Sequence, residues 1–433
     1  MGQESKIQYL TFGFLILFIA TFVIYITVRR NNKQFINELN STPTITRVVT
    51  TSENPTIPQI KECTYEADPA NTSVYNSKAI QTVSNLRWFR QGDPKSQTVG
   101  GAASSPIVVC DTLYFSNWDG YIYALHANTG ELLWRFKPEA KPVESPTFAD
   151  DYIYFGDAVG NFYAVDTKSQ QEVWRYSLKT EKNGRDLFGS RHITSSPIVY
   201  DNTVYFPDNS GYLYALDAKE GNERWIFEKA TVFYFTQPAI SEGAAYFGDD
   251  DGTLYAVEAE TGVEKWSQKF TDSLFVQPTI YNNKVYVISD DGVLHALQIG
   301  DGKEIWNYRY VKTDTFIRVD ISSVAAFNNA IYLSGTNDYF LDVLDSETGK
   351  EIWKFQAESW VETQPVITDN VVYFGTLDRK DDRRSFLYAV DINSQEELWK
   401  YKIISLGIRG KPFVLDGALY FSDGVGGNLY ALE

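Results

Sequence analysis

Few side chains in this sequence are of the types that do covalent chemistry, and their spacing assembles none of the usual sites. Three histidines occur, His126, His192 and His295, with two cysteines and one methionine among 433 residues. No H-E-x-x-H, C-x-x-C, G-x-S-x-G or phosphate-cradling glycine loop is present. His126 and His295 fall in or just after segments where other copies of a repeat carry Asp or Tyr, so they read as variants of a structural position. The string DGVGGN from Asp423 to Asn428 has the glycine content of a dinucleotide loop, but it lies between two strand-like segments and reads as a hairpin turn. Two acidic turns, Asp249-Asp250-Asp251 and Asp290-Asp291, offer the oxygen ligands that calcium takes. They recur at one point of successive repeats, where Asp and Gly serve turn geometry. No catalytic residue and no metal ligand is therefore assigned.

Recognition chemistry lies in the segments that join one repeat to the next. These hold LFGSRHITS (187 to 195), TVFYFT (231 to 236), TFIRVD (315 to 320), SWVE (359 to 362) and LGIRG (406 to 410), which set aromatics beside arginines. Such residues on the loops of a rigid scaffold suit a partner-binding rim. The candidates are Arg191, Phe235, Phe316, Arg318, Trp360 and Arg409. The competing reading is that they pack the loop tops and pair with local carboxylates. Two longer insertions, 177 to 194 and DRKDDRR at 378 to 384, could add to this surface.

The elements that must position these loops are written in the repeats. A phrase running from a small apolar residue to Trp recurs seven times: ALHANTGELLW ends at Trp134, and its counterparts end at Trp174, Trp225, Trp266, Trp306, Trp353 and Trp399. Upstream of each stands a second signature, such as SSPIVVCDTLYF at 104 to 115. Each unit reads as four short antiparallel strands, with Asp-Asn, Asn-Asn, Asp-Gly and Thr-Gly pairs supplying the positive φ that tight turns need. Such a unit cannot bury both faces alone, so the units must stack as blades around an axis. The last copy stops at Glu433 where its Trp strand should begin, and SNLRWFRQ around Trp88 matches the missing strand. The fold class expected is all-β, an eight-bladed propeller of four-stranded blades closed by both chain ends. Trp88 and the other seven indoles are expected to dock each blade on the next.

The phrase A-x-D-x-x-T-G-x-x-x-W, kept at 343 to 353 as VLDSETGKEIW, resembles the tryptophan-docking motif of pyrroloquinoline quinone (PQQ)-like repeats. The resemblance spans Trp88 to Glu433 and covers two branches. One branch is the quinoprotein dehydrogenases, which hold pyrroloquinoline quinone and calcium in a central funnel. The other is non-catalytic and includes the BamB-like propellers of outer-membrane assembly. The chain looks like the second branch: it has no adjacent cysteine pair, and its blades are mostly minimal. No lipobox cysteine ends its apolar segment, which departs from the assembly subunit. The resemblance implies a non-enzymatic scaffold for protein partners without a cofactor, with a quinoprotein oxidoreductase as the alternative. A small ligand in the channel stays open.

Ahead of the repeats, Tyr9 to Val28 carries no charge and is long enough to cross a bilayer as a helix. Residues 1–34 are read as a membrane anchor, 35–82 as a flexible Ser/Thr/Pro-rich stalk and 83–433 as the propeller. Arg29 and Arg30 favour a cytoplasmic location for the stalk and propeller; the stalk composition favours the opposite side. An extracytoplasmic propeller is the working expectation. Net charge is −17, which disfavours nucleic acid. Cys63 and Cys110 could pair, but with only two cysteines the fold is expected to rest on its core.

Overall fold

The computed structural model describes residues 68–90 except 84, 104–178 except 118, 192–228 except 194, 237–310 except 275, 323–378 except 336–338, 385–423 except 404–406 and 409, and 428–433. These fall in a compact unit that spans Cys63–Glu433. The strands form eight antiparallel sheets, one per repeat. Blade 1 holds Ile107–Val109, Thr112–Asn117, Tyr121–His126 and Leu132–Phe136, in that order from the inside out. Blades 2 to 7 occupy 142–177, 198–227, 239–269, 279–309, 325–356 and 360–403. Blade 8 takes Phe413–Leu415, Ala418–Ser422 and Leu429–Leu432 from the C-terminus, and Leu86–Arg90 as its outermost strand. The first strands of successive blades touch one another and so line the axis. Blade 7 departs from the four-strand pattern, because Trp360–Val361 adds a fifth strand beside Val371–Leu377.

The fixed ten-residue interval of the repeated phrase has a direct structural meaning. Its first residue is the cross-strand partner of its Trp: Ala124 faces Trp134, Ala215 faces Trp225, Ala256 faces Trp266 and Ala389 faces Trp399. A small residue opposite lets the indole lie across the sheet, and a register shift beside each Trp turns it towards the next blade. The indole then rests on the turn between third and fourth strands of that neighbour. A Cβ built on Gly221, Gly262, Gly302 or Gly349 would stand 2.5–2.6 Å from Trp174, Trp225, Trp266 or Trp306 respectively, closer than carbon atoms approach. Each of these glycines also takes a positive φ, between 68° and 72°. The indole N–H donates to a carbonyl of the same turn: Trp174 to Ala218, Trp225 to Ala259, Trp266 to Ile299 and Trp306 to Ser346, at 2.9–3.1 Å. Apolar residues of both blades complete each seam, as Tyr205 and Ile240 do around Trp225. Trp174, Trp225, Trp266 and Trp306 thus each pack on the next blade and bond to it.

Ring closure matches the sequence expectation. Trp88 pairs with Ala431, and Leu86, Phe89 and Arg90 pair with Leu432, Tyr430 and Leu429. Asn85 and Glu433 exchange two backbone hydrogen bonds where other blades have a covalent turn. The Arg87 guanidinium meets the Glu433 carboxylate at 2.7 Å and reaches Asn128 of blade 1. Trp88 in turn docks on Gly130 and donates to Ala127 O at 2.7 Å.

One expectation needs correction. The stretch 68–82, read as part of a flexible stalk, is bonded to the propeller. Its carbonyls at Pro69, Ala70, Thr72 and Ser73 accept from Ile240, Ile280, Ala326 and Ile367, one first strand of each of blades 4 to 7. Ile80 then stands in for the turn that blade 8 lacks, and its carbonyl accepts from Trp399 at 2.8 Å. Composition missed this because a segment that borrows its hydrogen bonds from other strands needs no hydrophobic period of its own. The sequence left the pairing of its two cysteines open, and Cys110 is disulfide-bonded. The apolar run Tyr9 to Val28 and residues 35–67 lie outside the described residues. Among the described residues no helix is long and apolar enough to cross a membrane.

Candidate functional site: the channel and the loop face

The residue before the first strand's proline has the same place in each blade, and together these residues ring the axis. They include Ser105, Ser145, Ser196, Gln237, Gln277, Gln364 and Lys411, with Ser323 at the matching position of blade 6. The strap formed by residues 68–77 enters among those of blades 5 to 7. The Asn71 amide nitrogen donates to Pro278 O and to Ser323 Oγ, both at 3.1 Å. Its oxygen accepts from Gln277 Nε2 at 3.0 Å and from Gln364 Nε2 at 3.3 Å. Thr279 Oγ1 sits 3.0 Å from Ser323 Oγ and donates to Asn71 O at 3.2 Å. Asn71, Thr279, Ser323 and Gln364 are all buried, so each bond satisfies a group that would otherwise be desolvated at a cost.

The strap is folded before it reaches the wall. Asp68 accepts from Thr72 N at 2.9 Å and from Ser73 N at 2.6 Å, which folds the strap on itself. Asn71 and Ser73 both sit in the left-handed region, at φ 56° and 61°. Beyond them, the Lys411 ammonium stands 5.6 Å from the centre of the Tyr75 ring. Burial lowers the Lys411 pKa below that of an ordinary lysine, and the charge of Asp68 works against that fall. In blade 2, Glu144 occupies an irregularity of the first strand at φ 59°. Desolvation raises its carboxyl to about 7.

The histidines and acidic turns fall where the repeats predict, and their partners explain them. Asp157, Asp208 and Asp249 are buried carboxylates at the ends of second strands. Each accepts from turn N–H groups and from a third-strand tyrosine six residues on: Tyr163, Tyr214 or Tyr255. This Asp–Tyr fastener was not recognised in the sequence, although its six-residue interval was the available signal. Blade 5 has Ser289 and His295 at those two places, 3.0 Å apart, with Glu304 2.6 Å from the other ring nitrogen. The order resembles a nucleophile, base and orienting acid. Ser289 is 2% exposed, however, and its hydroxyl also lies 2.5 Å from Asp291 and 3.3 Å from Val293 O. A substrate carbonyl could not reach it, and the trio serves as the blade 5 version of the fastener. The His126 ring accepts from the Asn128 N–H of its own turn, and His192 is bonded to Asn209 through its backbone.

Of the six rim candidates, Trp360 alone is described. It is half-buried in the extra strand of blade 7, paired with Leu377, so it is held by a sheet where a free loop was expected. Arg191, Phe235, Phe316, Arg318 and Arg409 lie outside the described residues, as does most of both insertions. The structure therefore brings together a channel cluster that the sequence reading did not name.

Comparison with known proteins agrees with this architecture. The chain resembles BamB from Moraxella catarrhalis at 15% identity, with a TM-score of 0.62 over 81% of this chain and 97% of that one. It resembles the quinohemoprotein alcohol dehydrogenase of Comamonas testosteroni at 14% identity, with a TM-score of 0.67 over 84% of this chain and 79% of that one. A computationally designed protein, Ika8, gives 16% identity and a TM-score of 0.65 over 78% and 97%. At such identities the likeness is one of fold. No curated protein matches the chain by sequence. The family model described as outer membrane protein assembly factor BamB matches residues 81–232 and 211–433. With PQQ-like repeats closed into eight blades and matched to that model over most of its length, the chain belongs to the BamB family of β-propellers.

Proposed function

We propose that the chain is a non-enzymatic scaffold that presents its inter-blade loops to protein partners in envelope protein assembly, held at a membrane by Tyr9 to Val28. The observation that carries the reading is what lies against the channel wall. Where the first strands of blades 4 to 7 meet, the chain's own strap is seated among neutral amides and hydroxyls. Quinone and calcium would need carboxylates and an open cradle on the axis. Among the described residues no three His, Cys, Asp or Glu side chains are grouped to hold a metal ion. The described groups do not fit that pair, and no redox step is derived from them.

The disulfide at Cys110 supports a propeller on the extracytoplasmic side, since such bonds persist in oxidising compartments. The stalk composition of 35–67 agrees with that side.

Photoreactive residues placed at Trp360, Phe316 and Arg409 of the membrane-bound chain should cross-link to discrete protein partners. Cross-linking no more specific than from the outer strand of blade 4 would overturn the rim. Dye-linked substrate oxidation on addition of pyrroloquinoline quinone and calcium would overturn the non-enzymatic assignment.

A further inference from the structure

The strap is held as a ligand is held, by a wall built without it. Four successive blades each give it one backbone N–H from the middle of the first strand: Ile240, Ile280, Ala326 and Ile367. Those groups are fixed by the sheets behind them, since the same strands pair with Ala244–Gly248, Lys284–Ser289, Ala330–Ser334 and Val371–Leu377. The side-chain contacts are selective as well. Two glutamine amides point at one oxygen, and a hydroxyl and a carbonyl receive the two N–H bonds of the same carboxamide. A primary amide is the group that offers one such oxygen beside two such donors. Gln364 Nε2 also reaches Ser73 Oγ at 2.5 Å, so the wall reads two strap side chains two positions apart. Left-handed φ at Asn71 and Ser73 is a cost the strap bears to meet these groups.

We infer that the wall of blades 4 to 7 is a recognition site for a turn-forming peptide of the pattern Asp-x-x-Asn-x-Ser, and that residues 68–77 are its resident ligand in cis. The same pattern, presented by another polypeptide, is the class of ligand the site takes when the strap leaves. The inference concerns the channel and stands whether or not the loop face binds partners.

The test uses the full chain and a fluorescent peptide of residues 66–78 (EADPANTSVYNSK). Asn71→Ala in the chain weakens the resident strap and leaves the wall intact. The labelled peptide should bind the N71A chain at least tenfold tighter than the unaltered chain, a ratio that one to two buried amide hydrogen bonds supply. A peptide carrying alanine at the Asn71 position should lose that gain, and Gln364→Ala added to the N71A chain should abolish it. If N71A does not fold, Asp68→Ala, which removes the strap's internal clamp, carries the same comparison. Equal binding of both peptides, or no binding by a folded strap-weakened chain, overturns the site.

Discussion

The seams between blades 3 and 4 and between blades 6 and 7 are built from one plan and differ in how far it is completed. In the first, Trp225 lies over Gly262, donates to Ala259 O at 2.9 Å and faces Ala215 across the sheet. In the second, Trp353 faces Val343, and the turn of blade 7 carries Gln395 where the other has glycine. Gln395 keeps the turn, with φ 63° and the same N–H bond back to the carbonyl four residues earlier. It also brings a Cβ to a place where Trp225 leaves none room. Trp353 stands differently: its ring is 77° from that of Tyr332 with centres 6.3 Å apart, against 54° and 5.8 Å for Trp225 and Tyr205. Among the described residues its N–H makes no bond to the next blade. Blade 2 has the second such turn, with Gln170 at φ 63°, and there Trp134 also makes no such bond although it faces Ala124. The factor common to both incomplete seams is the side chain at the turn. An indole anchor therefore depends on a missing methyl group in the neighbouring blade as much as on the indole.

Three sets of substitutions would sharpen or break that comparison. The largest effect belongs to the anchors. Trp225→Ala should cost about 3–5 kcal/mol in denaturant unfolding, and Trp353→Ala at least about 1 kcal/mol less, because no indole bond is lost. Equal losses would mean that the N–H bond adds nothing. Next come the turns. Gly262→Ala should cost about 2–3 kcal/mol, from strain at positive φ and contact with Trp225. Gln395→Gly should gain about 1 kcal/mol by relieving the same strain. A melting temperature unmoved by Gln395→Gly but raised by Val343→Ala would shift the cause to the cross-strand partner. The smallest effect lies at the open seam. Arg87→Ala removes a partly exposed ion pair with Glu433 and should cost under about 1 kcal/mol, since paired strands and Trp88 still close the ring. A loss comparable to that of Trp225→Ala would show that the charge pair, and not the shared sheet, holds the two ends.

Blades 1 to 7 could be read from the chain because each is local. Its four strands, its turns and its Trp fall within about fifty residues, so spacing alone carries the geometry. The interval from Ala215 to Trp225 already encodes their pairing, and the unfinished last copy already calls for the strand at Trp88. The channel was not legible for the opposite reason. Asn71 meets Gln277 and Gln364, which are 206 and 293 positions away, and nothing in a polar, aperiodic stretch reveals that distant strands will offer it hydrogen bonds. The rim candidates were chosen by residue type, and only Trp360 has a described position, fixed by pairing with Leu377.

By itself the sequence determined the number of blades and the way the ring closes, since short-range periodicity and turn chemistry fix these before the chain is compact. Only the tertiary structure decided that residues 68–77 lie along the first strands of blades 4 to 7 as a ligand would. That placement exists once eight first strands have been brought into a circle, because the groups that bind the strap come from four separate blades and converge nowhere else.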